Sequence, residues 1–445
     1  MFLCVLYLLF TLTNGHSTYH FLTEFMRGRL FRNMASLGLL QVANYLIPLL
    51  LIPFVTGVLG NELFGRVSYA QNIITYLTLL VNYGFEYSAT RQISIAATLG
   101  DKDRLPETRR IFWSVMRAKG WLLLISFLIL ACLPLFVPRV EADFRLYLYT
   151  ALINVGFVFF PTWFLQGIQQ MHKMALVNFL IKLIGAVLVL ALLREAAQYR
   201  IYPLLLSVSG IVMGIGALVY IIRHYDLMPP AGDRQSVRRE LKEGMPIFLN
   251  NLFVALYTTA NMTILGIYAD DTAIGHYSGA LRLIMAVNMC VIMPVSTALF
   301  PEMSRRFAEN NQAGWQFFRQ TLLLASIPAL IASILTWLLA TPLVHLMLRG
   351  DFEASIPLLR WMAPIPFLVM VATLFTVQGL YGSGLQRFAP WVGLTLAILC
   401  VSLNIILIPR VGTIGAVWSW LIAEAAEILI VGSILLFHRK KTCST

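Results

Sequence analysis

Apolar runs of about twenty residues, separated by short clusters of charge, Pro and Gly, recur along almost the whole chain. A helix needs about 20 apolar residues to cross the hydrocarbon of a bilayer, so each run is read as a membrane span. Twelve spans result, centred near Leu46, Leu80, Leu124, Asn154, Leu183, Met213, Val254, Val287, Ile331, Met370, Leu399 and Glu424. The longest polar connection, His224 to Glu240, falls between spans 6 and 7 and divides the chain into two halves of six. The pattern G-x-x-S-x-A opens span 2 as Gly65 to Ala70 and span 8 as Gly275 to Ala280, the same place in each half, as a duplicated lobe requires.

The expected fold is therefore an all-α integral membrane protein, twelve transmembrane helices in two pseudo-symmetric six-helix bundles. Residues 26–223 form the first lobe, 224–240 a cytoplasmic linker, 241–438 the second lobe and 439–445 a cytoplasmic tail. Residues 1–25 read as an N-terminal extension. Their stretch "FLCVLYLLFTLTNGHS" has the apolar core of a signal segment, but the first basic residue of the chain is Arg27. Met26 is the preferred opening of the functional chain, a cleaved signal the alternative.

Composition agrees: 59% of residues are hydrophobic, 12% are charged and the mean hydropathy is +0.77. A soluble domain carries about twice that charged share. The net charge of +12 is then a topology signal rather than a nucleic-acid footprint. Basic clusters such as Arg27/Arg29/Arg32, Arg104/Arg109/Arg110, Arg234/Arg238/Arg239 and Arg439/Lys440/Lys441 fall on one side, which puts both termini in the cytoplasm. The five cysteines form no C-x-x-C pair, and no metal site or cofactor is indicated. Motifs of metalloproteases, serine hydrolases and P-loop enzymes are absent, Asp101-Lys102-Asp103 reads as solvated loop, and no loop can house a catalytic domain. The chain reads as no enzyme.

Polar residues inside the spans are the candidate chemistry. Gln71, Thr75, Thr78, Asn82 and Glu86 form a stripe at helical spacing down span 2, and such a face must meet protein or water. Gln41 and Asn44 on span 1, with Asn250 and Asn261 on span 7, extend the candidate lining of a pathway; bonding between helices is the competing reading for such residues. Arg91 lies half a turn off the stripe near a span end, where a headgroup anchor explains it equally well. Lys182 in span 5 and Arg282 in span 8 suit an anionic substrate, and Glu86, Glu424 and Glu427 suit an ion or proton; internal salt bridges are the competing account. Ser207, Gly210 and Gly214 form a small-residue face suited to packing.

Six stretches carry a family resemblance: "NYLIPLLLIPFV" from Asn44, "LGNELFGRVSYA" from Leu59, "NYGFEYSATRQIS" from Asn82, "FPTWFLQGIQQM" from Phe160, "LFPEMSR" from Leu299 and "PRVGTIGAVWSWLIAE" from Pro409. The chain resembles the O-antigen and polysaccharide flippases of the multidrug/oligosaccharidyl-lipid/polysaccharide exporter superfamily. The resemblance implies a central cavity between the bundles, opening alternately to each side of a bacterial inner membrane. It implies an undecaprenyl-diphosphate-linked oligosaccharide as substrate, membrane lipid around it, and a polysaccharide polymerase and chain-length regulator as partners. It also implies substrate-binding cations, for which Lys182 and Arg282 fit, and it adds Arg91, the Arg of the family's S-A-T-R segment. Where relatives commonly read Asp-Tyr-Gly-Phe this chain has Asn82, and Glu86 is the carboxylate able to replace that acid. Multidrug exporters and lipid-linked peptidoglycan precursor exporters of the same superfamily are the alternative.

Overall fold

The structure is a computed structural model that describes residues 29–99, 101–228 and 234–443. The readings of residues 1–25 and of part of the linker fall outside the described residues. Among those described, all regular structure is helical, and ten helical stretches are long and apolar enough to cross a membrane. One of them, Leu46–Ala96, has 51 residues. At 1.5 Å per residue that is about 75 Å, more than twice the ~30 Å of a hydrocarbon core.

Two compact units divide the chain, Gly28–Leu252 and the residues from Phe253 onward. The first contains α1 (Arg29–Asn82), α2 (Phe85–Ala96), α3 (Asp101–Cys132), α4 (Phe144–Ala151), α5 (Ile153–Phe159), α6 (Thr162–Gly167), α7 (Met171–Leu192), α8 (Ile201–His224) and the opening of α9 (Arg234–Tyr268). The second holds the rest of α9, then α10 (Asp271–Glu309), α11 (Asn311–Leu338), α12 (Ser355–Met362), α13 (Ile365–Thr373), α14 (Ala389–Val411) and α15 (Thr413–Cys443). Between α13 and α14 the chain widens into a π-helical stretch, Leu374–Tyr381.

Breaks in the helices matter more for function than the helices themselves. Gly60, at φ 67° and ψ −179°, divides α1 into two arms. A second break follows at Tyr83 (φ 48°) and Gly84 (φ 81°). The left-handed φ at Gly84 suits a residue without Cβ, and the missing Cβ also admits α9: an added methyl would stand 2.6 Å from Ile247 Cγ2. Tyr83 stacks on Phe248 with ring centroids 4.8 Å apart. This break corrects the stripe expected along one continuous helix from Gln71 to Glu86. Glu86 belongs to α2, beyond two residues in the left-handed region, so its helical phase relative to Asn82 is lost. The half-turn offset assigned to Arg91 falls with it.

The third break separates α5 from α6 at Phe160 and Pro161, where the chain turns extended. It lets α6 pack against α2. Ser94 Oγ donates to Gly167 O at 3.1 Å, and the Thr90 hydroxyl lies 3.1 Å from Trp163 O. Two of the sequence stretches singled out above thus meet in one place, around a core of Phe112, Trp163 and Phe164 with rings 5.4 to 6.2 Å apart. Ser207, Gly210 and Gly214 of α8 face α4 and α5, with Ser207 Oγ 3.1 Å from Tyr149 O and Gly210 backbone against Gly156. In the second unit Phe307, Trp315 and Phe318 form the corresponding aromatic core. Both copies of G-x-x-S-x-A are buried, each in its own unit.

The Tyr83–Gly84 break gives the first prediction. Gly84→Ala should destabilise the purified protein by about 2 kcal/mol or more, from backbone strain plus the clash with Ile247. Gly120→Ala, where an added methyl meets nothing within 4 Å, should leave the thermal unfolding midpoint unchanged or raised.

Candidate functional site

In the first unit the polar residues converge on a lysine that the sequence reading passed over. Lys119 of α3 is 3% exposed. Its Nζ donates to Phe157 O at 2.9 Å and to Asn82 Oδ1 at 3.3 Å. The reason lies in the two breaks. Phe157 O would normally accept from the N–H four residues on, but residue 161 is proline and has none. Asn82 is the last residue of α1. The ammonium therefore sits at two helix C-termini, where the negative ends of the helix dipoles favour a cation. Burial of an ammonium costs several kcal/mol, and these acceptors offset it.

Around this pin the other stripe residues separate. The Thr78 hydroxyl lies 3.0 Å from Ile74 O and 2.7 Å from Asn154 Oδ1. Asn154 is fully buried and its Nδ2 has no partner among the described residues. Thr75 is exposed and returns its hydroxyl to Gln71 O at 2.9 Å. Gln71 is half-buried. Glu86 is exposed on α2. Arg91 is exposed on the same helix. Its neighbour Gln92 ties α2 to α9 by donating from Nε2 to Glu240 Oε2 at 2.6 Å and to Glu243 Oε2 at 3.0 Å.

Lys182 is exposed midway along α7, an otherwise apolar helix. No carboxylate pairs with it among the described residues, so an internal salt bridge does not account for it there. Asn250 is half-buried on α9. Gln41 and Asn44 lie in α1, but their side chains fall outside the described ones.

The second unit gathers acids. Glu424 and Glu427 of α15 are 6% and 9% exposed. Trp420 Nε1 donates to Glu424 Oε1 at 2.9 Å, and Thr376 Oγ1, from the π-helical stretch, donates to Glu427 Oε1 at 2.6 Å. Among the described residues neither is ion-paired. Asn261 of α9 is buried and accepts from Asn404 Nδ2 at 2.6 Å and from Cys400 Sγ at 3.3 Å. Its oxygen is thereby engaged inside the unit. Asn404 Oδ1 keeps no partner among the described residues. Arg282 is half-buried on α10.

Sequence reasoning missed Lys119, Thr376 and Asn404. Lys119 had a readable signal: a lysine inside an apolar span, in a chain where Pro161 orphans a carbonyl elsewhere. Nothing local to the sequence joins the two. Thr376 and Asn404 look like ordinary span residues until α15 and α9 bring their partners.

The arrangement is that of a multi-pass helical membrane protein with charged groups held inside apolar units. Residues 30–307 match the family described as "Polysaccharide biosynthesis protein", which is more than half of the chain. The chain belongs to that family. It is 26% identical over 408 residues to a protein of Escherichia coli (strain K12) named "Putative O-antigen transporter", covering 92% of this chain and 96% of that one. A Shigella dysenteriae protein of the same name is 25% identical over 401 residues, covering 90% and 98%. Among solved structures the fold is similar to the lipid II flippase MurJ in an inward closed conformation, with a TM-score of 0.72 at 14% identity over 92% of this chain and 87% of that one. An inward-facing multidrug resistance MATE family transporter of the MOP superfamily gives 0.69 at 16% identity over 90% and 96%.

Lys119 supplies the second prediction. Lys119→Met leaves Phe157 O and Asn82 Oδ1 without a donor and should lower stability by about 2 kcal/mol. In a double-mutant cycle with Asn82→Leu the two losses should fall short of additive by about 1 kcal/mol, read from unfolding of the purified protein. Additive losses would show that Asn82 and Lys119 do not interact.

Proposed function

We propose that the chain is a flippase that moves undecaprenyl-diphosphate-linked oligosaccharide units, of O-antigen or a related surface polysaccharide, across the bacterial inner membrane. The carrying observation is Lys182, a cation exposed in the middle of an apolar helix with no acid paired to it among the described residues. A charge at the centre of a bilayer costs about 2.5 to 3.5 kcal/mol even on lenient scales, so such a residue has to face water or an anion. Membership of the polysaccharide biosynthesis family and similarity to proteins named as O-antigen transporters support a phosphorylated, sugar-bearing anion.

On this reading twelve spans make two six-helix lobes, residues 26–223 and 241–438, joined by a cytoplasmic linker, with both termini in the cytoplasm. The long α1 supplies two spans through its break at Gly60, and the 39-residue α10 supplies another. The glycan and diphosphate occupy a cavity between the lobes while the polyprenyl tail stays in lipid. An unpaired ion in hydrocarbon costs tens of kcal/mol in the Born limit, and alternating access avoids that exposure. Lys182, Arg282 and Arg91 serve as counter-charges. Gln41, Asn44, Gln71, Thr75, Thr78, Asn82 and Asn250 provide polar lining, while Asn261, buried and engaged by Asn404 and Cys400, serves packing inside its unit. Glu86, Glu424 and Glu427 couple the cycle to a proton or sodium ion, and the chain performs no covalent chemistry. A polymerase and chain-length regulator receive the product.

Loss of the gene should make undecaprenyl-linked repeat units accumulate on the cytoplasmic side, with surface polysaccharide falling. Accumulation of a lipid-linked peptidoglycan precursor instead would favour the other branch of the superfamily. Lys182→Ala and Arg282→Ala at normal protein levels should each lower surface polysaccharide about tenfold, the effect of one lost charge-assisted contact. Unchanged polysaccharide in both variants would remove the counter-charge role.

A further inference from the structure

A second site lies at the end of the first unit where α3 begins and α8 stops, away from Lys119 and Lys182. A cavity of about 380 Å³ opens there, at the small end of the ~300–1,000 Å³ range of small-molecule pockets. Arg104, Thr108, Gln170 and Tyr225 give it polar walls, while the half-buried Ala97, Leu105 and Ile168 give it apolar surface. Arg104 is exposed and forms no ion pair among the described residues. The other arginines of the region are already engaged: Arg109 with Asp226 at 2.5 Å and Arg110 with Glu107 at 2.6 Å. Lys173 stands behind Tyr225, its Nζ 3.3 Å from the Tyr225 hydroxyl and 2.9 Å from that of Tyr220. No acid pairs with it among the described residues.

The cavity therefore combines one available guanidinium, neutral donors and apolar surface. A soluble phosphate would use the first two features and gain nothing from the apolar surface. A phospholipid uses all three, with its phosphate on Arg104 and Thr108 and the start of an acyl chain over Leu105 and Ile168. Basic groups at helix ends on the cytoplasmic side meet the anionic inner leaflet, and the distribution of Lys and Arg assigns this end to that side. We propose that this cavity binds the head group of an anionic membrane phospholipid, a site separate from the transport pathway.

Native mass spectrometry of the purified full chain in detergent tests it, with titrations of dioleoyl phosphatidylglycerol, dioleoyl phosphatidylcholine and inorganic phosphate. Phosphatidylglycerol should bind more tightly than phosphatidylcholine, and Arg104→Gln should weaken it about tenfold. Arg194→Gln, which removes an exposed arginine elsewhere, should leave binding as in the parent. Ile168→Trp fills the cavity without changing charge and should weaken phosphatidylglycerol to a similar degree, so the test stands even if Arg104→Gln folds poorly. Equal binding of the two lipids, or parent-like binding in both cavity variants, would overturn the proposal. Displacement of phosphatidylglycerol by millimolar phosphate would overturn it too, because the occupant would then be a soluble anion.

Discussion

A chain inside hydrocarbon has to satisfy its backbone polar groups from within, and every break in a helix releases some of them. The first unit contains breaks at Gly60, at Tyr83–Gly84 and at Phe160–Pro161. Lys119 answers the last two at once, donating to the carbonyl that Pro161 orphans and to the side chain that ends α1. A neutral amide could also serve two acceptors, but an ammonium carries three N–H groups and is in addition drawn to the negative ends of both helices. A charge usually excluded from such an interior becomes the part that fixes α1, α3 and α5 to one another. With those helices held, α2 can leave the break in a new direction and present Glu86 and Arg91 outside the core.

Both units bury charge, the first unit holding the carboxylates of Asp143 and Glu240 as well as Lys119. The first buries a cation and pairs it with backbone and amide oxygens. The second buries two carboxylates one turn apart, each given a single neutral donor, Trp420 or Thr376, where full satisfaction of a carboxylate calls for several. That shortfall is costly in a static fold, and it suits the coupling role proposed for the two carboxylates. The π-helical stretch that supplies Thr376 belongs to the same pattern, since such local widening concentrates at functional places.

Much of this architecture was legible in the sequence because hydrophobic spans are a strong one-dimensional signal. The all-helical class, the apolar spans, the placement of Lys182, Glu424 and Glu427 within apolar helices and the small-residue face of α8 follow from periodicity and composition alone. The Tyr83–Gly84 break did not, although Asn-Tyr-Gly is a turn-like triplet, because apolar periodicity continues on both sides and masks it. Lys119 escaped for a different reason. Its partners lie 37 and 38 residues away and are joined only by packing, so a single span read by itself shows a misplaced lysine and no cause. Asn261 illustrates the converse. A polar residue on an apolar helix reads as pathway lining, yet here its oxygen is engaged by Asn404 and Cys400.

The proposed flippase itself carries a lipid-linked oligosaccharide head group across a bilayer. Reconstitution into proteoliposomes, with undecaprenyl-diphosphate oligosaccharide initially on the inner leaflet and an external glycosidase as reporter, measures this directly. The account predicts head-group exposure far faster than in protein-free vesicles, and slowed by Lys182→Ala. Exposure at the protein-free rate, with the folded protein present and oriented both ways, would contradict it.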